Sequence, residues 1–269
     1  MKSWRGIEEA ATAAVLVLLF LGLTGCGSTA KPQTSGPLSG NWQITLTPQI
    51  NPPSPLPMYS GFLLQTGNSV AGSLVLGNGC AGVGPVSGSV SGNNFQLDVN
   101  EFGQDLSLTG AVPSPNSHSF MGGQFSTLSG GCTTATTGTW SAYQIPSLTG
   151  PFHGTLTSSS NGTVDLAGTF TQGPNTGASN ATLNATVAAT SVPPFCSYLT
   201  TGTITGVISG TSVSLFFYDA NGTLLNVSGL PLSGTVERDG TSLTVLNYGF
   251  SGISKSCTGD NGELQLSFP

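Results

Sequence analysis

The stretch Leu38-Ser-Gly-Asn-Trp-Gln-Ile-Thr-Leu46 returns as Leu148-Thr-Gly-Pro-Phe-His-Gly-Thr-Leu156, with the aromatic residue, the first glycine and the closing Thr-Leu in register. In the first copy Trp42, Ile44 and Leu46 fall on one side of an extended chain, the period of two that a half-buried strand requires. Further on, Gly84-Pro-Val-Ser-Gly-Ser-Val-Ser-Gly-Asn-Asn-Phe-Gln-Leu97 returns as Gly202-Thr-Ile-Thr-Gly-Val-Ile-Ser-Gly-Thr-Ser-Val-Ser-Leu215. Cys80 then matches Cys196, and Cys132-Thr133 matches Cys257-Thr258. The offset widens along the chain, as expected if a common unit gained residues in its turns. The pattern predicts two homologous modules, residues 38–146 and 147–269.

Within the first module short alternating segments recur at 42–47, 59–65, 70–76, 85–90, 95–99, 106–112, 119–125 and 139–143. Turn signals such as Asn78-Gly79 and Ser91-Gly92 separate them, so the expected fold is all-β. Each module is read as an antiparallel meander of about eight strands, closed into a small barrel or flattened into a sandwich. The second module offers Asn221-Gly222, Asp239-Gly240 and Asn261-Gly262 as hairpin turns. Gly110, Gly168 and Gly234, inside apolar segments, mark bends or close backbone approach.

Ahead of the first module, Lys2 and Arg5 precede a charge-free run from residue 10 to 23, the layout of a secretory signal. About 20 apolar residues are needed to span a bilayer, and this run is shorter. It ends in Leu23-Thr24-Gly25-Cys26, which resembles the lipobox of bacterial lipoproteins. That resemblance implies removal of residues 1–25, acylation of Cys26 and attachment of the chain to the membrane through it. Gly27 in place of Asp after the cysteine points to the outer membrane as the address. Glu8 and Glu9 cancel the basic pair and depart from the family's basic start. Residues 26–37 then form a polar lipidated spacer that cannot bury a core.

The chain carries 5 Lys and Arg against 11 Asp and Glu, a net charge of −6 with only 6% charged residues, where about 25% is usual. Behind Cys26 the only cations are Lys31, Arg238 and Lys255, so nucleic acid is excluded as a partner. A surface made of Ser, Thr, Asn and Gly suits neutral partners: glycans, other envelope proteins or a small apolar ligand.

Removing Cys26 leaves two cysteines per module in a compartment where disulfides form. The duplication favours Cys80 with Cys132 and Cys196 with Cys257, each bridge contributing about 2 to 4 kcal/mol. Zinc is the rival reading, weakened by the lack of any C-x-x-C spacing. In a meander both members of each pair lie in connections at one end. Bonding then requires either a flattened cylinder or loops that lean over that end.

Strand alternation puts Asp98, Asp105, Asp165, Glu237, Glu263 and His153 opposite apolar faces, and Glu101, Asp219, Arg238, Asp239, Lys255 and Asp260 in turns. No charge is expected in either core, so the usual setting for a catalytic pKa is missing. No G-x-S-x-G, H-E-x-x-H or P-loop pattern occurs, and His118 and His153 fall in different modules. Asp98, Glu101 and Asp105 read as a solvated strand and its turn, and the acidic turns at Asp219 and Asp260 lack the remaining ligands of a calcium loop. No metal or other cofactor is expected.

Gly40-Asn41-Trp42 is similar to the G-x-W opening of lipocalins, and the Leu-Thr-Gly segments with Thr139-Trp140 resemble avidin-like barrels. This implies an eight-stranded meander with Trp42, Phe62 and Trp140 lining the inside, where one small apolar ligand would sit. The body as a whole resembles Gly/Ser/Thr-rich lipoproteins of environmental bacteria, which implies no activity. The expected function is therefore a non-enzymatic, lipid-anchored envelope protein with a binding or surface-structural role. A lipocalin-like carrier is the first alternative and a polysaccharide-acting enzyme the second.

Overall fold

The computed structural model describes residues 36–50, 56–77, 82–101, 104–114, 120–127, 137–160, 162–173, 179–191, 201–251 and 258–269. Cys26, Cys80, Cys132, Cys196 and Cys257, with His118, Lys255 and the Asn78-Gly79 turn, lie outside the described residues.

Eight strands make up the first half: β1 (Gly40–Pro48), β2 (Met58–Thr66), β3 (Ser69–Leu76), β4 (Gly82–Ser91), β5 (Asn94–Glu101), β6 (Gln104–Ala111), β7 (Phe120–Thr127) and β8 (Thr137–Ile145). Each pairs antiparallel with the next, and β8 returns to β1 with Trp140 opposite Leu46, closing a barrel. The second half repeats the plan with β9 (Gly150–Ser158), β10 (Gly162–Gln172), β11 (Ala181–Ala189), β12 (Thr201–Ser209), β13 (Ser212–Asp219), β14 (Leu232–Val236), β15 (Ser242–Ser251) and β16 (Thr258–Ser267). There β16 closes on β9 with Leu264 opposite Leu156. The fold is all-β, two tandem eight-stranded meanders, and the choice between sandwich and barrel resolves to closed barrels.

The alternation that predicts the strands also fills the interiors. In β11 the buried positions are Ala181, Leu183, Ala185 and Val187, with exposed Thr182, Asn184 and Thr186 between them. An eight-stranded cylinder is just wide enough for its inward side chains to pack on one another. Phe95 meets Trp140 edge-on at 5.8 Å in barrel 1, and Phe152, Phe170 and Phe268 form a triangle of rings in barrel 2. Closure also brings backbones together where only glycine fits. A Cβ on Gly168 would lie 1.9 Å from the Thr186 carbonyl oxygen.

The repeated Leu-Ser/Thr-Gly at the start of each module is a latch. Leu38 and Leu148 are fully buried, and their N–H groups donate to the side-chain oxygens of Gln65 and Gln172, both at 3.1 Å. The Gln65 and Gln172 N–H groups donate in turn to Ser39 Oγ and Thr149 Oγ1. One end of each barrel is thus sealed by the residue two places before its first strand. In barrel 1 the Trp42 indole N–H also binds the Leu38 carbonyl at 2.9 Å.

Of the four described hairpin assignments three hold and one does not. Gly92 (φ 60°) turns β4 into β5, and Gly240 (φ 72°) turns β14 into β15, with Asp239 accepting from the Thr241 N–H. Asn221-Gly222 makes a tight reversal within the connection after β13, where Tyr218 bridges Leu224. Asn261-Gly262, expected as a turn, lies inside β16. Gly262 is there because a Cβ would strike the Thr157 carbonyl oxygen of β9 at 1.9 Å. The consequence is that Asp260 is a buried strand residue and not a turn residue.

The barrels belong to one compact unit and dock end to side. The β12–β13 turn of barrel 2 sits on the outer face of β1 and β2. Asn41 Nδ2 donates to the Gly210 carbonyl at 2.9 Å while the Gly210 N–H donates to Asn41 Oδ1 at 2.6 Å. The Thr211 N–H donates to Gln43 Oε1 at 3.3 Å, and the Ser60 and Ser209 hydroxyls are 3.1 Å apart. Asn41 and Gln43, outward on barrel 1, are consequently buried. Pro146 lies against Gly240, and the Arg238 guanidinium stacks 4.2 Å above the Tyr143 ring.

Candidate functional site

The structure separates the three residues expected to line a ligand cavity. Trp42 and Trp140 face inward in barrel 1, both within its buried core. The Trp140 indole N–H is held by the Thr109 carbonyl at 3.1 Å. Phe62 is a correction. It is 4% exposed, yet its inward neighbours on β2 are Tyr59, Gly61 and Leu63, and Phe62 stands outward. It packs with Ile145 and Leu148 into the apolar cluster of barrel 2. Period-two reasoning places a side chain on a face but does not say whether a second domain covers that face.

The expectation that no charge enters a core is also corrected. Asp260 is 5% exposed at one end of barrel 2. Ser158 Oγ donates to one carboxylate oxygen at 2.5 Å and the Tyr248 hydroxyl to the other at 2.7 Å. Burial, followed by the neighbouring Asp260, pushes the Tyr248 hydroxyl well above its ordinary value, so it acts as a donor and not as a base. Barrel 1 has no counterpart among its described residues. Ser158 pairs with Gly262, and Gly262 with Tyr248; the matching positions around Gly138 are Pro48 and Phe125. His153, the histidine among the described residues, is exposed on the outer face, so no described residue completes a Ser-His-Asp arrangement around Ser158 and Asp260. The constellation is a polar clasp between β9, β15 and β16.

The second buried carboxylate, Asp219, ends β13 and organises the connection to β14. It accepts from the Thr223 N–H at 2.7 Å and the Asn221 N–H at 2.8 Å. The Thr223 bond above all holds its carboxyl below the ordinary value. Buried Asn226 then substitutes for a strand, accepting from the Phe217 N–H and donating to the Leu215 and Leu230 carbonyls. Among the described residues no group of three or more His, Cys, Asp or Glu side chains is placed to hold a metal ion.

Concave surface occurs on the outer walls. Over β4 to β7 of barrel 1 lie two adjoining grooves of about 560 and 580 Å³ that share Gln96. Their floor is two parallel ranks set by strand register: Ser89, Gln96, Thr109 and Gln124 in one, Ser87, Asp98, Ser107 and Ser126 in the other. Neighbouring members of a rank lie about 4.8 Å apart. Asp98 accepts a hydrogen bond from Gln96 Nε2 at 3.1 Å. Barrel 2 carries a related groove of about 640 Å³ over β13 to β15, edged by exposed Leu246. Hydroxyl and amide side chains line all three alongside apolar and backbone atoms, and Asp98 is the one charged side chain among the lining residues, a surface that can exchange hydrogen bonds with an uncharged partner. Sequence reasoning reached the neutrality of this surface but not its location.

Compared with known protein families, with curated proteins and with solved structures, the chain matches none.

Proposed function

We propose that the protein is a non-enzymatic component of the bacterial cell envelope, anchored in the outer membrane through acylated Cys26 and acting through the outer walls of its two barrels. The observation that carries this reading is the division of labour between the two faces of the wall. Inward positions are filled by packed rings and aliphatic side chains, Trp42, Trp140 and Phe152 among them, and the grooves lie outside, lined with hydroxyl and amide groups. That division favours surface binding over carriage of a ligand inside a barrel. The buried carboxylates Asp219 and Asp260 are both occupied by hydrogen bonds within the fold, which favours a structural role for them over an acid and base pair.

β3 and β7, which Cys80 and Cys132 follow in sequence, finish at the same end of barrel 1, as β11 and β15, which Cys196 and Cys257 follow, do in barrel 2, because each is an odd-numbered strand of a meander. This placement supports the two within-module disulfides. The test is metabolic labelling of the full-length protein in a bacterial host with an alkyne palmitate analogue. Label that is lost on Cys26→Ala, with the protein moving from the outer-membrane fraction to the soluble fraction, supports the anchor. An unlabelled, soluble wild-type protein refutes it. Titration of the anchor-free chain on a glycan array and a lipid panel then reads what the walls bind.

A further inference from the structure

We propose that the outer wall of barrel 2 over β11, β12 and β13 binds a neutral polysaccharide chain, with the rings of Phe216 and Tyr218 as its stacking platform. This rests on the reading that the outer walls are the working surfaces and names the ligand class for one of them. Val213, Leu215 and Phe217 are directed inward and buried, so Phe216 and Tyr218, the residues between and after, stand outward and are part-exposed. Two residues apart on one strand, they lie roughly 7 Å from each other along the wall.

The ladder supplies the rest of the site. Thr205 lies opposite Phe216 and Thr203 opposite Tyr218 on β12. One strand further, Asn184 lies opposite Thr205 and Thr186 opposite Thr203. Each ring is therefore flanked, in register, by a hydroxyl and then by an amide or a second hydroxyl. A pyranose has matching chemistry: a face of C–H bonds that stacks on the electron-rich face of an aromatic ring, and a rim of hydroxyls that needs donors and acceptors beside it. None of the six side chains is charged, so an ionic ligand gains nothing here and an uncharged one loses no solvated counter-charge. The groove over β13 to β15 begins at Ser214, on the same face and two residues before Phe216, and extends the track past Leu246 for further sugar units.

Duplication gives an internal reference. The positions matching Phe216 and Tyr218 in barrel 1 are Asp98 and Asn100, with Ser87 opposite Asp98. Of the four flanking side chains only Thr205 and Thr186 have hydroxyl counterparts, Ser87 and Ser73; Pro85 and Ala71 stand where barrel 2 has Thr203 and Asn184, so the rings and half of their polar flank belong to barrel 2 alone.

The test is affinity electrophoresis of the full-length protein in detergent, through gels containing hydroxyethyl cellulose, xyloglucan, β-1,3-glucan or galactomannan. The expected result is retardation by at least one of them. Phe216→Leu and Tyr218→Leu, which keep an apolar cover but remove the ring, should each weaken it by about tenfold or more. Their melting temperatures should stay close to wild type. Failure of every polysaccharide to retard the wild type overturns the proposal, as does undiminished binding by both ring variants. A wild type that binds lipid vesicles or envelope proteins but no polysaccharide overturns it while leaving outer-wall binding in place. A wild type that binds nothing overturns both.

Discussion

Asn41 of the first barrel and Gly210 of the second exchange two hydrogen bonds, side-chain amide to backbone, at 2.9 and 2.6 Å across 169 residues of sequence. The geometry imitates a pair of strand residues, and Asn41 is 2% exposed. A buried backbone group left without its partner costs about 1 to 3 kcal/mol.

Asn41→Ala should therefore destabilise the protein by about 2 to 6 kcal/mol, with two groups orphaned at once. Urea denaturation measures it. The same variant should make the connection at residues 146–149 sensitive to limited proteolysis while leaving far-UV circular dichroism unchanged.

The two hairpin glycines Gly92 and Gly210 have almost the same backbone, φ 60° and 57°, in equivalent turns. Nothing lies within 4 Å of a Cβ at Gly92, whereas at Gly210 it would stand 2.3 Å from Gln43 Oε1 and 2.6 Å from Ser60 Cβ. Gly92→Ala should cost only the left-handed strain, about 1 to 2 kcal/mol. Gly210→Ala should cost clearly more and part the barrels. Equal midpoints for the two variants in urea would show that the docking contact contributes nothing.

Gln65 and Gln172 hold the latches by the same geometry, so Gln65→Ala and Gln172→Ala should each cost about 1 to 3 kcal/mol, the loss expected when the buried N–H of Leu38 or Leu148 has no acceptor. Amide exchange at those two residues is the direct readout.

Tyr248 gives the alkaline limb of stability. Its folded hydroxyl is held above the ordinary value near 10, so the unfolded chain ionises first as pH rises. Its contribution is complete below about pH 10 and is lost as the pH climbs toward the folded value, with a slope of at most about 1.4 kcal/mol per pH unit. Tyr248→Phe should flatten that limb when wild type and variant are compared between pH 8 and 11.5. It should also cost stability at pH 7, because Asp260 loses a buried donor. An unchanged alkaline limb would sink this account of the clasp.

Much of the architecture was legible because hydrophobic alternation is local. Trp42, Ile44 and Leu46 are buried in β1 as their spacing requires, and all eight strands of barrel 1 fall on the segments that alternate. What was not legible is what depends on a distant partner. Phe62 looked like an interior residue because nothing in its own strand reveals that a second barrel covers the outer face. Asp260 looked like a turn residue because Asn261-Gly262 is a good hairpin signal. Gly262 in fact answers to the Thr157 carbonyl of another strand, and a turn wrongly placed there reverses the facing of its neighbour. Phe216 and Tyr218 were hidden for the opposite reason. Rings on an alternating strand are read as core until the register shows them standing outward.

End-to-side docking also bears on assembly. A contact between two different surfaces can in principle be repeated, each new unit seating its turn on the flank of the one before, and such contacts build filaments when nothing stops them. The flank of barrel 2 that corresponds to Asn41 and Gln43 carries Pro151 and His153. Proline has no amide to clasp an incoming glycine, and the imidazole replaces the carboxamide oxygen that receives Thr211. The flank of barrel 2 therefore does not repeat the carboxamide seat that barrel 1 offers to the β12–β13 turn.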